Sequence, residues 1–244
     1  MKITGTILAS YVPSLALALV GDDWRFDNAP ADGLNDITFP INIANAPHQT
    51  GFYFAQQYEF EGVKDGSYCG LQPREDKNGQ SIIHGVFSAF ENGTTSSHPN
   101  CHNGADGGPG VSCAVDIVGD YSHTYNIYIE NAGGTTWRGI LIDTETDQGT
   151  VIGEYTLPAG SGKILNGDGG FVEYYPWNGE DGHPCDTLPR TEVTFGDPSS
   201  QTEGAFGGRI TSVYEYADKE MDCVGRVGFS TSETSLGQNI QVGF

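Results

Sequence analysis

Along most of this chain apolar and polar residues alternate, and no window sustains the 3.6-residue period of an amphipathic helix. In 124–130 (TYNIYIE), Tyr125, Ile127 and Ile129 alternate with polar partners, the period of a sheet with one wetted face. Segments 37–43, 51–60, 67–71, 82–90, 111–118, 136–142, 150–157, 171–175, 192–195, 209–216 and 223–229 are rich in aromatic and β-branched residues and have strand length. The 35 glycines and 12 prolines are spread along the chain and punctuate it about every eight to twelve residues, as turns between short strands require. The pattern predicts an all-β chain, a two-sheet antiparallel β-sandwich of the jelly-roll or concanavalin-like kind. No low-complexity tract divides it, so a single domain over 19–244 is expected.

The start of the chain has a different character. Lys2 precedes an apolar run that continues to Val20, and Ala16-Leu17-Ala18 has the small-x-small form that signal peptidase accepts. This predicts a signal peptide over 1–18, a mature chain beginning near Leu19, and a secreted protein. A short buried first strand is the other reading of the same run. The segment is too short and too interrupted, by Ser10, Pro13 and Ser14, to span a bilayer, and no later run approaches the ~20 apolar residues that a membrane helix needs.

The charge balance narrows the partners. With 11 Lys and Arg against 32 Asp and Glu, a formal net charge of -21, the chain repels nucleic acid and anionic lipid at long range. A neutral polysaccharide or glycan is indifferent to that field. Asn92-Gly93-Thr94 is a glycosylation sequon at Asn92 that only an exported eukaryotic chain can use. The five cysteines are an odd number, which allows two bridges and one free thiol. Cys101 and Cys113 enclose a loop of Gly, Asn and Asp with little apolar material to order it, so they are the first expected pair; Cys185 with Cys223 is the second, leaving Cys69. Their spacings fit no zinc pattern.

Several segments together resemble a known family: 51–60 (GFYFAQQYEF), Gly70-Leu71-Gln72-Pro73, 83–90 (IHGVFSAF), a glycine-rich loop through Gly110, Thr124-Tyr125, Thr136-Trp137 and Gly170-Phe171-Val172-Glu173. Over about residues 45–178 the chain resembles the secreted domains known as domain of unknown function 3472. That family occurs in bacteria and fungi, often beside carbohydrate-related modules, and the resemblance implies extracellular work on glycans. The chain departs from the family at Cys101, Cys113 and Asn103-Gly104-Ala105-Asp106, where a small-residue run is expected, so no role is carried onto that loop.

The candidate residues suit four chemistries. Acidic turns suit calcium, a hard cation that takes oxygen ligands, and Asn166, Asp168 and Glu173 are close enough in sequence to share an ion, as are Asn103, Asp106 and Asp116; Asx turns beside glycine account for the same residues without metal. No cofactor is required by any motif. A glycoside hydrolase needs two carboxylates about 5 to 10 Å apart, and Glu59 with Glu173 is the expected pair, both lying among aromatics. A polysaccharide lyase would need a base and a group that neutralises the uronate, for which His84, His123, Tyr125, Gln72 and Arg138 have suitable side chains. For binding without catalysis, Trp137, Arg138, Tyr174, Tyr175 and Trp177 are the expected sugar platform, because aromatic faces stack on pyranose rings. The sequence thus predicts a secreted glycan-recognising sandwich, with a carbohydrate-active enzyme as the rival and an extracellular structural or host-interaction protein as the third reading.

Overall fold

The computed structural model describes residues 18–178, 183–216 and 223–244. Its strands are β1 (Ala18–Arg25), β2 (Asp36–Asn42), β3 (Phe52–Tyr58), β4 (Ser67–Pro73), β5 (Ile82–Ala89), β6 (Cys101–Ala105), β7 (Gly108–Val118), β8 (Thr124–Gly133), β9 (Thr136–Asp143), β10 (Gln148–Thr156), β11 (Gly167–Tyr174), β12 (Thr191–Gly196), β13 (Arg209–Glu215), β14 (Ser230–Glu233) and β15 (Gly237–Val242). They form two antiparallel sheets: an 8-stranded sheet in the order β13-β1-β11-β3-β4-β5-β7-β6, and a 7-stranded sheet in the order β10-β9-β8-β2-β12-β15-β14. The expected all-β sandwich is the observed fold.

The alternation along each strand decides what fills the space between the sheets. Phe52, Phe54 and Tyr58 of β3 share the inner face with Val20 and Trp24 of β1 and Val172 of β11. They meet Phe39 and Ile41 of β2, Ile127 and Ile129 of β8, and Phe195 of β12. Rings cross the gap at several points: Trp24 stands edge-on to Phe39 at 5.2 Å, Phe87 stacks on Tyr155 at 4.5 Å, and Phe60 lies 4.8 Å from Trp137. One polar pair sits on this inner face. Gln56 Nε2 donates to Asp22 Oδ2 at 3.1 Å across Gly170, where a Cβ would touch both side chains.

Both expected disulfides are present, Cys101 to Cys113 and Cys185 to Cys223, and Cys69 is a buried free thiol. The end of the apolar run at the start of the chain is a strand with sheet neighbours on both sides, and Leu19 and Val20 are buried in it. A mature chain starting at Leu19 keeps this strand from its second residue onward; residues 1–17, the body of the expected signal, lie outside the described residues. One expected strand is absent. The segment 223–229 does not join a ladder, because Gly225 and Gly228 adopt φ of 71° and 66°, which breaks one. Strands β6, β14 and β15 escaped the sequence pattern because their residues are mostly polar and only partly covered.

Candidate functional site

The outer face of the 8-stranded sheet carries three transverse rows of side chains. In the first, Glu173 of β11 lies opposite Tyr53 of β3, and Gln72 of β4 lies opposite His84 of β5, which faces Asp116 of β7. The second row is low: Phe171, Ala55, Gly70, Val86 and Ala114. The third rises again with Gln57, Tyr68, Ser88, Ser112 and His102. Small residues between taller ones make a trough across the strands. At Gly70 no larger residue fits, since a Cβ would collide with the Phe54 carbonyl and lie 2.7 Å from the Tyr53 ring.

At one end the trough deepens into a cleft of about 470 Å³. Tyr53, Tyr68, Phe171 and Tyr175 wall it, and the first three pack edge to face at 5.2 to 6.2 Å. Glu173 sits in this cleft only 5% exposed, with Oε1 accepting from Asn178 Nδ2 at 2.7 Å. Burial pushes its pKa above the ordinary carboxylate range; the Asn178 bond opposes this and the negative charge of Asp106 adds to it. Asp106 enters from the β6–β7 turn, where its φ is 47°, and its Oδ1 accepts from the Tyr68 hydroxyl at 3.0 Å. The Tyr53 hydroxyl is buried without a partner, and burial raises its pKa well above that of free tyrosine. Gln72 and Arg74 line the other side. His84 Nδ1 bonds Asp116 Oδ1 at 2.6 Å, and burial, assisted by the Arg74 charge, lowers the imidazole pKa against that bond.

The expected site residues divide. Glu173 and Tyr175 line the cleft, and Gln72 joins them. Glu59 does not: it is exposed beyond the end of β3, six residues from the Tyr53 that faces Glu173, which at ~3.3 Å per residue is roughly 20 Å. The two carboxylates cannot flank one bond; the carboxylate that lines the cleft with Glu173 is Asp106. Trp137 is fully buried between the sheets. Arg138 lies on the other sheet, where it bonds Glu130 at 3.1 Å and Glu154 at 2.9 Å. Tyr174 faces Phe52 on the inner side at 4.9 Å, and Trp177, 8% exposed, packs on Tyr174 and His183. The expected platform of Trp137, Arg138, Tyr174 and Trp177 is therefore dispersed, because strand alternation and the turn after β11 send these side chains inward or to the opposite sheet. Of the residues weighed for a lyase, His123 bonds Asp143 at 3.0 Å and Tyr125 is in the core, so neither joins Gln72 and His84.

Asp168 and Glu173 are five positions apart on β11 and so face opposite sides of the sheet; together with Asn166 they do not converge on an ion. Among the described residues no group of three or more His, Cys, Asp or Glu is arranged to hold a metal. Asn92 is exposed in the turn after β5. Tyr53, Tyr68, Arg74 and Asn178 were missed in the sequence, and Asp106 was expected only as a calcium oxygen ligand with Asn103 and Asp116. One signal was there: 52–55 is apolar at every position, which marks a strand covered on both faces.

No family model matches the chain, and no curated protein does. Among solved structures it is similar to scytalido-glutamic peptidase in complex with a peptide-based transition state analog, at 12% identity over 94% of this chain and 99% of that one, TM-score 0.46. It is also similar to SCP-B, a member of the eqolisin family of peptidases in complex with a tripeptide, at 11% identity over 94% and 99%, TM-score 0.42. The enzymatically active domain of bacteriophage CBA120 tailspike protein 2 matches at 14% identity over 84% of this chain and 25% of that one, TM-score 0.30. At these values no residue role passes from them to this chain.

Proposed function

We propose that this protein is a hydrolase that cleaves a polymer, in the first instance a glycan, laid in the cleft on the outer face of the 8-stranded sheet. The observation that carries this reading is Glu173: a carboxyl nearly removed from water, its pKa raised by that burial, in an open aromatic cleft. Such a group is suited to hold a proton that a leaving oxygen needs, and unlike the buried Asp22 it opens onto a cleft that a substrate can enter. In glycoside hydrolysis Glu173 gives its proton to the glycosidic oxygen as the C–O bond breaks. Water adds to the anomeric carbon and loses a proton to a second carboxylate, for which Asp106, oriented by Tyr68, is the candidate. The rings of Tyr53, Tyr68, Phe171 and Tyr175 supply apolar faces for sugar rings.

One observation favours amide hydrolysis as a second reading. Glu173 and Asn178 form a carboxyl and amide pair, and a side-chain amide can donate to the oxyanion of a tetrahedral intermediate while the carboxyl manages protons. The two readings share Glu173 and differ in substrate. The test is a panel of polysaccharides, both neutral and bearing isolated uronic acids, and a peptide library, incubated with the wild type, Glu173→Gln and Asp106→Asn between acid and neutral pH, with products read by mass spectrometry. Cleavage is expected in one panel and should fall about 10²- to 10⁴-fold in Glu173→Gln with the fold retained. A folded wild type that cleaves nothing in either panel, or an unaffected Glu173→Gln, refutes the proposal. Two disulfides and a strongly acidic surface are compatible with work outside the cell.

A further inference from the structure

At the Arg74 side of the cleft, hydrogen-bond donors lack acceptors. Arg74 gives one N–H to the Pro73 carbonyl at 3.0 Å and one to Gln72 Oε1 at 2.8 Å. The second bond fixes the amide: its oxygen faces the guanidinium, so both hydrogens on Nε2 point away from it. Nothing among the described residues accepts them, and a guanidinium with five N–H groups keeps several more unspent. Arg138, Arg190, Arg209 and Arg226 each lie beside a carboxylate, while Arg25 makes no ion pair among the described residues. Arg74 makes no such pair among the described residues, in a chain with net charge -21.

Its placement is fixed from behind. The Arg74 backbone N–H donates to the Tyr121 hydroxyl at 3.0 Å, which itself donates to the Ile82 carbonyl at 2.8 Å. His84, opposite Gln72, has its Nδ1 engaged by Asp116, and among the described residues it makes no bond to Gln72 or Arg74.

We infer that Arg74 and Gln72 form a subsite for a carboxylate carried by the polymer that occupies the cleft. The inference rests on the reading of the cleft as a polymer-cleaving site and adds a chemical requirement to its substrate. A planar fork of N–H donors matches the two oxygens of a carboxylate, whereas a lone hydroxyl leaves most of the donors unpaired. Position follows from charge. Asp106 repels an acidic unit from its side of the cleft, so that unit lodges at Arg74 while the bond to be cleaved lies at Glu173. The global negative field disfavours a polyanion but leaves one acidic unit, met locally by Arg74, acceptable. A uronic acid residue of a glycan and an acidic side chain of a peptide both present this group.

Calorimetry on the full chain carrying Glu173→Gln reads binding without turnover. The probes are two matched pairs: an otherwise neutral oligosaccharide carrying a single uronic acid with its methyl ester, and a peptide containing one glutamate with its glutamine counterpart. In one pair the acidic member should bind at least ~10-fold more tightly than its neutral partner, with the difference shrinking as salt is raised. That pair identifies the source of the carboxylate. Adding Arg74→Gln should abolish the preference and Arg74→Lys should keep part of it. Adding Gln72→Glu, which neutralises Arg74 while retaining a side chain of the same length, should also abolish it if Arg74→Gln does not fold. Equal affinities within both pairs, no binding by any probe, or a preference untouched by these changes overturns the subsite. Turnover of any panel polymer by the wild type, assayed alongside, leaves the hydrolase reading standing in that event; its absence brings down both.

Discussion

Glu173 owes its titration to three neighbours whose order can be tested. Burial is the largest influence and raises the pKa, the Asn178 bond lowers it, and Asp106 raises it again. Removing the Asp106 charge should therefore bring Glu173 only part of the way back to the ordinary 4.5, while loss of the Asn178 donor should push it further up. Carbon NMR titration of the labelled side chain in the wild type, Asp106→Asn and Asn178→Ala checks this ordering; a wild-type Glu173 titrating at the ordinary value would falsify it. Trp177 stands in contrast. It is 8% exposed and wedged between Tyr174 at 5.4 Å and His183 at 5.0 Å, so it contributes packing rather than a sugar platform. Trp177→Ala is expected to cost about 3 to 5 kcal/mol in urea unfolding. A loss under about 1 kcal/mol would mean that the ring is not part of the core.

The β6–β7 hairpin matters to the site because its turn delivers Asp106 to the cleft. It is the edge of its sheet, and Cys101 lies directly opposite Cys113, so one bridge ties the edge strand to its only sheet neighbour. Replacing both cysteines by serine should cost about 2 to 4 kcal/mol. The damage should be local: hydrogen exchange should quicken in β6 and the turn while β3, β4 and β11 keep their protection. Unchanged exchange in β6 would show that the bridge does not hold Asp106 in place. The hairpin also illustrates how much the sequence discloses. The cysteine pairing was legible because a glycine-rich loop needs a staple, and the strands were legible where alternation is strong, as in β8. The cleft was not legible, because it depends on the register between β3, β4 and β11. Register decides that Glu173 meets Tyr53 and not Glu59, and it is fixed by pairing between strands far apart in sequence. Likewise β1 begins inside a run whose composition resembles an export signal, since a buried strand and a signal both need continuous apolar residues.

At the scale of the molecule, the described carboxylates whose pKa values are shifted form two sets that set opposite pH limits. Asp27 and Asp32, bonded by Arg209 and Lys163, and Glu75 and Asp120, bonded by backbone and side-chain donors, have lowered pKa values; they contribute stability above the ordinary carboxylate range that is lost as pH falls through it. Asp22 and Asp168 act in reverse. Burial raises Asp168 to about 6, and raises Asp22 to about 7 against its Gln56 bond, with Asp23 and Asp168 adding repulsion. Tyr214 and Tyr216 of the neighbouring β13 segment feel the Asp22 charge as well. Asp22 Oδ1 and Gln56 Oε1 are both buried without partners, and a proton on Asp22 Oδ1 resolves both at once by donating to Gln56 Oε1, closing a carboxylic acid and amide ring with the existing N–H bond. A folded-state pKa above the unfolded 3.8 means that this stability is complete below about 4 and is lost as pH rises through about 7. A rise from 3.8 to about 7 corresponds to about 4 kcal/mol, and easing of the net charge of -21 on acidification acts in the same direction. Stability should therefore peak at mildly acid pH, where the proposed acid chemistry of Glu173 also operates. Asp22→Asn removes the ionisation and supplies an N–H to Gln56 Oε1. Urea unfolding at pH 4.5 and pH 8 should show the wild type losing several kcal/mol more than the variant between the two conditions, and equal losses would mean that Asp22 is not protonated in the folded protein.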